Sequence, residues 1–513
     1  MYTKVLFITL AAFFIRWIPR LIRPYALGSD TFYHLLCAES IRANRFRLPE
    51  RIKGMILPGV YAYPYLYHWL LAIFPKKRRD MVEPISSPFF DAIMIAVAML
   101  FAEHWAMKMG VENSQQFTVL LGLFMATSPA LLNVSIGPRA YQGTARTLGE
   151  LLFVIFMLCT YYYLYSQSSV WLIGVLLSGA MVLLSSKFGA QVVIFLLVTM
   201  SILSGNMVLL LFPFAIFLSA LLVSGGSYWV IFKNHTSHLF LYARSLMHLH
   251  TAVKTVNSWA VVKELGKAIV KGDWRQSVDI LLHRITLTAA LVRYPQALIA
   301  GYCLFTFGFP DRVVQHWFVA SGVIFILVSL RPLRFLGEAD RYLEYSLVAQ
   351  YLIIVFVIPQ EILMYLLIVQ TALAALFVAQ FVYMNRGFNK QQQKDKKECW
   401  ENLQSYCLYG PVATILGVRP NEVGYETGCT ILNTEYFTKE YYSAGEMKYL
   451  FVEYPYWSYV KFLEILERYK CGSVLVKKEA LDYAVTKGWH YPLDRLKKVW
   501  ENRSYEIYLV NNV

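Results

Sequence analysis

About eleven apolar runs follow one another along this 513-residue chain before residue 384. A transmembrane helix needs roughly 20 mostly apolar residues to cross the hydrocarbon core of a bilayer. The chain is also 57% hydrophobic and only 16% charged, which is unusual for a soluble domain. We therefore predict an α-helical, multi-pass protein of the cell membrane, whose first run is a retained span because no signal-peptide cleavage pattern follows it. The predicted spans are 3–19, 89–107, 117–133, 148–166, 170–186, 188–204, 206–225, 297–310, 314–330, 345–358 and 361–383.

The net charge of +15 comes from basic residues in loops and near the ends of the predicted spans. Membrane headgroups and lipid phosphates are the simplest anionic partners for charges in those places, so no nucleic-acid partner is predicted. The seven cysteines show no paired metal-ligand spacing. Four of them fall in the C-terminal part, which leaves one or two disulfides there open.

The composition changes near residue 384, where a charged, Gln-rich segment follows the last apolar run. This change predicts a transmembrane domain over 1–384 and a soluble domain over 385–513. Within the soluble part, "GSVLVKK" and "YEIYLV" have the composition of strands, whereas "SYVKFLEILERYK" and "ALDYAVTKG" have helical spacing. We expect a small α/β or α+β domain.

Loop lengths predict that the polar segments share one face of the membrane. With a cytoplasmic N-terminus, the long connections and the C-terminal domain all lie outside, and the inner loops have only a few residues. An even number of spans would instead place the C-terminal domain opposite the first loop, and the distribution of Lys and Arg does not decide the orientation. The long connections are 20–88, 134–147, 226–296 and 331–344.

Asp30 opens the long first loop, and Tyr33 and His34 follow it closely. A carboxylate at the boundary of water and lipid can act as a general base toward an attacking hydroxyl or amide. A lone aspartate in a loop is also commonly a helix N-cap or simply exposed. The sequence around Asp30 is needed to choose between a general base and a capping or exposed residue.

Three stretches, taken in order, resemble polytopic glycosyltransferases of the GT-C fold, among them relatives of the oligosaccharyltransferase catalytic subunit and lipid-linked sugar transferases. They are "GSDTFYHLLCAESIRANRF", "YAYPYLYHWLLAIF" and "GVLLSGAMVLLSSKFGAQ". The resemblance implies a GT-C-like membrane domain and transfer of a sugar, with inversion, from a polyprenyl-phosphate carrier to an acceptor glycan, lipid or protein on the extracytoplasmic face. Asp30 then matches the catalytic acidic residue, and we place Tyr33, His34 and His68 among the substrate-binding residues.

A departing lipid phosphate needs positive charge nearby, so the basic residues of the outer loops are candidates for binding it. Arg139 and Arg146 flank the start of the fourth span, and Glu150 lies four residues after Arg146, on the same helical face. Lys187 lies between two consecutive spans. The alternatives are a snorkelling arginine with a surface partner and a lysine that anchors the interface.

The segment 330–350 is the densest charged cluster between two apolar runs. Arg334 and Arg341 suit bidentate binding of phosphate, and Glu338 and Asp340 could orient them or contact sugar hydroxyls. Charges so close to hydrocarbon either line a wet cavity or pair with one another, so a structural ion-pair cluster stays open.

The motifs that hold metal and read the acceptor in oligosaccharyltransferases are missing from this sequence. The second outer loop has no Asp-x-Asp, and the C-terminal part has no Trp-Trp-Asp-Tyr-Gly. These departures argue against glycosylation of Asn sequons and for a metal-independent sugar transferase, with no metal site predicted. A divalent cation, Mg²⁺ or Mn²⁺, stays an open alternative, whereas the histidine spacings fit no closed zinc site.

Two rival functions remain at this stage. A transporter or flippase of lipid-linked sugars would also place charges within the membrane, but it would more often show inverted repeats and broken spans, and neither is evident. A noncatalytic scaffold whose C-terminal domain is the functional part is the second rival. The scaffold is tested by whether replacing Asp30 by Asn abolishes activity while expression and folding stay intact.

Overall fold

The computed structural model describes residues 1–23, 30–57, 59–132, 142–250, 259–386, 390–415, 417–432 and 438–510. Each predicted apolar run is helical over most of its described length, although 117–133 is divided between two helices, Ser114–Ala126 and Pro129–Leu132. Seven of the described helices are long and apolar enough to cross a membrane, and four more are apolar but shorter. The protein is therefore a helical, multi-pass membrane protein, while the count of eleven spans stays a prediction.

Helices account for nearly all of the first half. They are α1 (Tyr2–Ile22), α2 (Asp30–Ala43), α3 (Leu66–Ala72), α4 (Lys76–Lys108), α5 (Ser114–Ala126), α6 (Pro129–Leu132), α7 (Ala145–Ser166), α8 (Ser169–Ser185), α9 (Lys187–Ser204) and α10 (Val208–Val223). Helix α4 begins well before its apolar run: its first residues are exposed, whereas Arg79 and Glu83 are buried, and Arg79 pairs with Glu39 of α2 at 2.5 Å.

The next part alternates surface helices with further apolar ones. It contains α11 (Ser227–Leu241), a π-helix (Tyr242–Leu246), α12 (Met247–Leu249), α13 (Trp259–Val270), α14 (Trp274–Asp279), a second π-helix (Ile280–Arg284), α15 (Thr286–Arg293), α16 (Pro295–Phe307), α17 (Arg312–Ser329), a 3₁₀-helix (Arg331–Leu336), α18 (Arg341–Glu344), α19 (Leu347–Val357) and α20 (Gln360–Arg386).

Two buried ion pairs join α1 to α4. They were not predicted from the sequence. Arg16 and Arg20 lie four residues apart on one face of α1, and both are fully buried. Arg16 lies 3.3 Å from Asp91, and Arg20 lies 2.5 Å from Glu83. Since an unpaired buried charge is costly, these pairs fix the register of the two helices at the base of the first loop.

A small C-terminal domain contains the strands. Its elements are α21 (Lys390–Tyr406), a 3₁₀-helix (Cys407–Tyr409), β1 (Val412–Thr414), α22 (Pro420–Thr427), α23 (Ala444–Leu450), β2 (Phe451–Glu453), β3 (Tyr456–Trp457), α24 (Phe462–Arg468), β4 (Ser473–Lys477), α25 (Lys478–Thr486), a 3₁₀-helix (Leu493–Arg495), β5 (Lys497–Glu501) and β6 (Tyr505–Leu509). The main sheet has the order β1-β4-β6-β5, with β1 and β4 parallel and the other pairs antiparallel. Of the disulfides left open by the sequence, Cys407–Cys429 is present.

The C-terminal domain packs directly on the first loop. Backbone hydrogen bonds join Ile431 N to Gly54 O at 2.8 Å and Ile56 N to Ile431 O at 3.1 Å. Lys76 in α4 donates to the carbonyl oxygen of Tyr425 at 2.7 Å. The first loop and the C-terminal domain therefore lie on the same side of the helix bundle.

Candidate functional site

A cavity of about 290 Å³ lies where the first loop, the starts of α7 and α9, the end of α11, and the 331–341 segment meet. Side chains from parts of the chain that are far apart in sequence therefore share one wall. Six residues singled out from the sequence line it: Asp30, Tyr33, His34, Arg146, Lys187 and Arg341.

Asp30 is the first residue of α2, and its position is fixed by the residue after it. The Thr31 hydroxyl donates to the carbonyl oxygen of Gly143 at 3.1 Å, and the Gly143 N–H donates to that hydroxyl at 2.8 Å. The side-chain nitrogen of Gln142 lies 3.5 Å from the Asp30 carboxylate. The start of α2 is thus held against the residues that lead into α7.

The protein around Asp30 makes its carboxyl group a stronger base. Asp30 is exposed at the surface of the cavity, yet the surrounding protein removes enough water from its carboxyl group to raise its pKa; the charge of Arg341 opposes this rise and the charge of Glu338 adds to it. A raised pKa strengthens a carboxylate as a proton acceptor near neutral pH.

Gly143 has no room for a side chain. A Cβ atom there would lie 1.3 Å from Oε1 of Glu83, the carboxylate that pairs with Arg20. We expect Gly143→Ala to lower the stability by about 1–3 kcal/mol, because overpacking forces neighbouring groups to shift. The measurement is the melting temperature of the purified protein.

Gly266→Ala is the matched control, since Gly266 lies in α13 with open space around it. Alanine there should leave the melting temperature unchanged or raise it slightly through its higher helix propensity. Equal melting temperatures for the Gly143→Ala variant and the wild type would show that the contact between Gly143 and Glu83 is not tight.

A hydrogen-bonded chain of three buried side chains reaches the cavity through His34. The Tyr61 hydroxyl contacts Nδ1 of His68, and Nε2 of His68 lies 2.7 Å from Nδ1 of His34. Burial keeps the pKa of Tyr61 well above its usual value, so its phenol remains protonated. Burial, together with the nearby charge of Lys187, lowers the pKa of His34 to about 3, so this imidazole is neutral near pH 7.

The direction of the Tyr61 hydrogen bond decides which nitrogen of His34 carries the proton. When Tyr61 donates to Nδ1 of His68, Nε2–H of His68 donates to Nδ1 of His34. The proton of His34 is then on Nε2, the ring nitrogen that His68 does not engage. In this tautomer His34 offers an N–H donor, which suits a phosphate oxygen or a sugar hydroxyl.

Two positively charged residues of the cavity wall, Lys187 and Arg341, belong to different helices. Ser186, between α8 and α9, caps α9 by accepting from the Gly189 N–H at 3.0 Å, which makes Lys187 the first residue of that helix. Arg341 begins α18 and lies 2.6 Å from Glu338. Lys187 and Arg341 thus line the same cavity as Asp30, and the N-terminus of α9 there also favours anions.

Arg146 belongs to a buried network rather than to a free phosphate clamp. It lies 3.1 Å from Glu150, the partner that helical spacing predicts, and it also contacts Glu344. All three side chains are buried. The contact with Glu344 ties α7 to α18, so Arg146 positions the wall that carries Arg341.

Other candidates from the sequence lie outside the cavity wall. His68 and Glu150 lie behind it, where each supports a residue that does line it. Glu338 pairs with Arg341, and Asp340 lies 3.2 Å from Arg293. Arg334 is not among the residues that line the cavity. Arg139 lies outside the described residues.

Several lining residues were missed from the sequence, among them Tyr63, Gln191, His235, His238 and Tyr242. Residues of these types are common at membrane surfaces, so only their position around one cavity identifies them as part of the site. The spacing of His235 and His238, three apart on a helix that follows an apolar run, is the one signal that could have suggested a shared face. Within the described ranges, no three His, Cys, Asp or Glu side chains form a group that could hold a metal ion.

No family model and no curated protein sequence matches the chain. At the level of structure, the helix bundle with its converging loops and small C-terminal domain has the GT-C fold.

Two solved structures of the oligosaccharyltransferase from Archaeoglobus fulgidus show this fold. One is tethered with an acceptor peptide containing the NVT sequon; it is 12% identical, with a TM-score of 0.51 over 96% of this chain and 72% of that chain. The other, named AglB, is in complex with an inhibitory peptide and a dolichol-phosphate; it is 14% identical, with a TM-score of 0.50 over the same shares of 96% and 72%. ArnT from Cupriavidus metallidurans, bound to undecaprenyl phosphate, is 10% identical, with a TM-score of 0.46 over 99% of this chain and 98% of that chain.

Proposed function

We propose that this protein is a membrane glycosyltransferase that moves a sugar from a polyprenyl-phosphate carrier to an acceptor, with inversion at the sugar carbon. The observation that carries the proposal is that a carboxylate of raised pKa, Asp30, shares one cavity with Lys187 and Arg341. Transfer of a sugar from a lipid phosphate needs a base for the acceptor on one side of the reacting carbon and positive charge for the departing phosphate on the other.

The reaction balances with the groups present in the cavity. A lone pair of the acceptor oxygen or nitrogen attacks the anomeric carbon while Asp30 takes the proton of that group. The bond from the anomeric carbon to the phosphate oxygen breaks, and its electron pair leaves with the polyprenyl phosphate. Because attack and departure occur on opposite faces of the carbon, the configuration inverts.

The cationic side of the cavity stabilises the leaving group. Charge builds up on the departing phosphate oxygen, and fixed positive charges aimed at that position lower the barrier without proton transfer. Arg341 can offer two parallel N–H donors, whereas Lys187 supplies a compact charge. The N–H of His34 adds a neutral donor whose direction its partners fix.

The same proposal places the cavity and the C-terminal domain outside the cytoplasm. Lipid-linked donors and acceptors then meet at the face where the long loops gather. A cysteine introduced at the exposed Lys487 of the C-terminal domain should react with a membrane-impermeant maleimide in intact cells. Labelling only after the cells are permeabilised would reverse this orientation.

The direct test is purified protein in neutral lipid nanodiscs with a panel of radiolabelled polyprenyl-phosphate and polyprenyl-diphosphate sugars and with glycan, lipid and peptide acceptors. Incorporation of label into one acceptor class supports the proposal. A liposome assay that follows translocation of the same lipids tests the transporter alternative. Translocation without transfer would make the protein a flippase.

The donor role of His34 predicts a specific effect of Tyr61→Phe. Without the phenol, His68 can reverse its tautomer, and Nε2 of His34 then loses its proton for part of the time. We expect KM for the lipid donor to rise by about three- to tenfold, with a smaller change in kcat, which corresponds to one weakened neutral hydrogen bond. Steady-state kinetics check this expectation.

Tyr65→Phe is the control for this variant, because Tyr65 lies in the same loop but outside the chain from Tyr61 to His34. It should leave KM close to the wild-type value. Equal KM values for the Tyr61→Phe variant and the wild type would show that the phenol does not fix the tautomer of His34.

A further inference from the structure

A second cleft, of about 520 Å³, lies between the end of α1, helix α21 and the C-terminal sheet. It shares no lining residue with the Asp30 cavity. The proposed sugar transfer does not involve this cleft. Its position, charge and one buried donor point to a ligand of its own.

The cleft opens at the membrane boundary. Ile22, the last residue of α1, lines it, and Arg23 donates to the side-chain oxygen of Asn385 near the end of α20 at 2.9 Å. Helices α1 and α20 contain the first and the last of the apolar runs. The mouth of the cleft is therefore level with the headgroups, where these two helices leave the hydrocarbon.

An exposed apolar track leads from the cleft along α1. Phe14, Ile18, Leu21 and Ile22 are spaced at three to four residues and share one face of the helix. Their exposures are 50%, 41%, 60% and 38%. An acyl chain beneath a headgroup held in the cleft would lie along this track, whereas a soluble ligand would not need it.

The walls of the cleft carry more positive than negative charge. Arg23, Lys396, Lys397, Arg419 and Lys477 line it, against the two carboxylates of Glu422 and Glu426. Two of these lysines also have carboxylate partners beside the cleft, Lys397 with Glu401 at 3.8 Å and Lys477 with Glu479 at 2.6 Å. Glu422 is already paired with Lys396 at 2.5 Å. Burial, followed by the nearby charge of Arg419, lowers the pKa of Arg23, so like charges lie close together here. An anion between them would relieve that repulsion.

Trp400 has a buried hydrogen-bond donor beside the cleft. It lines the cleft and is 9% exposed. Within the described part of the chain, its indole N–H is buried without an acceptor. A buried donor costs free energy until a ligand atom accepts from it, so the cleft favours a ligand that carries oxygen acceptors.

We propose that this cleft binds the phosphate group of an anionic phospholipid, with Arg419, Lys397 and the Trp400 N–H as its contacts and an acyl chain along α1. The proposal does not depend on the sugar transferase activity. The bound lipid would link the ends of α1 and α20 to the C-terminal domain.

The test measures binding of phosphatidylglycerol to the purified full-length protein by native mass spectrometry in neutral detergent. The combined substitution Lys397→Gln and Arg419→Gln should weaken binding by about tenfold or more, because two charge-assisted contacts are lost. Trp400→Phe keeps the aromatic ring but removes the donor, and should weaken binding by about fivefold. Phosphatidylcholine should bind no better to the wild type than to these variants.

Lys448→Gln combined with Lys487→Gln is the charge-matched control, since both lysines are exposed on the C-terminal domain away from the cleft. This control should retain wild-type affinity, and all variants should keep the wild-type melting temperature in lipid-free detergent. Equal affinities for the cleft variants and the control would overturn the proposal. Displacement of the lipid by inorganic phosphate at equal concentration would also overturn it, because the cleft would then be a site for a soluble anion.

Discussion

Asp30→Asn is expected to abolish sugar transfer, with a loss of about 10²–10⁴-fold in kcat, the usual range for removing a general base. The substitution preserves the shape of the side chain and removes its ability to take a proton. The two hydrogen bonds between Thr31 and Gly143 do not involve the carboxylate of Asp30, so the start of α2 should remain in place. The measurement is initial rates with the best donor and acceptor from the panel.

The pH dependence of transfer gives a second readout of the same group. The surrounding protein raises the pKa of Asp30, and transfer requires its deprotonated form. The rate should therefore fall as the pH falls through that raised pKa, which lies above the value of about 4 for an exposed aspartate. An acid limb of kcat/KM at or below this ordinary value would contradict the assignment.

Asp482→Asn is the matched control, because Asp482 is exposed on α25 and loses its charge through the same chemical change. It should transfer sugar at the wild-type rate. If the Asp30→Asn variant keeps transfer within about threefold of the wild type while both variants fold normally, Asp30 is not the base.

Arg341→Gln is expected to reduce kcat/KM by about 10²–10³-fold, since one fixed donor to developing negative charge is commonly worth that much. The removed guanidinium lies in the cavity and is oriented by Glu338 at 2.6 Å. Arg341→Lys should recover part of the activity, because a lysine keeps the charge but loses the paired donors. Kinetics at varied donor concentration separate binding of the lipid from the chemical step.

Substitutions of two neighbouring arginines, Arg331 and Arg334, show whether the effect is specific to Arg341. Arg331→Gln is the control, because Arg331 is exposed on the same short segment and does not line the cavity. Arg334→Gln tests the sequence prediction that Arg334 also binds the phosphate, although it does not line the cavity either. A loss with Arg334→Gln that equals the loss with Arg341→Gln would mean that the phosphate lies outside the cavity described here.

Much of the membrane architecture could be predicted from the sequence. A backbone in lipid has to satisfy its own hydrogen bonds, and each predicted run is helical over most of its described length, with 117–133 divided between α5 and α6. The strands "GSVLVKK" and "YEIYLV" were predicted from local composition and are present as β4 and β6. The GT-C fold was expected from the order of three short motifs and is confirmed by the solved structures.

Part of the candidate site was also predictable, where local spacing was enough. Arg146 and Glu150 lie four residues apart, so helix geometry alone pairs them. Asp30 at the head of the long first loop was singled out by its place among apolar runs. Such inferences work because the partners lie on one element whose geometry is known in advance.

Only the tertiary structure decided which distant side chains meet. It brought His34 to His68 and Arg146 to Glu344, it separated Arg334 from the wall that Arg341 lines, and it chose Cys407–Cys429 among the open disulfides. The sequence by itself determined the lipid-spanning helices and the loop that opens with Asp30, because length and hydrophobicity act locally. The cavity depends on how those helices pack, and buried pairs such as Arg20 with Glu83 fix that packing through contacts that no local pattern encodes.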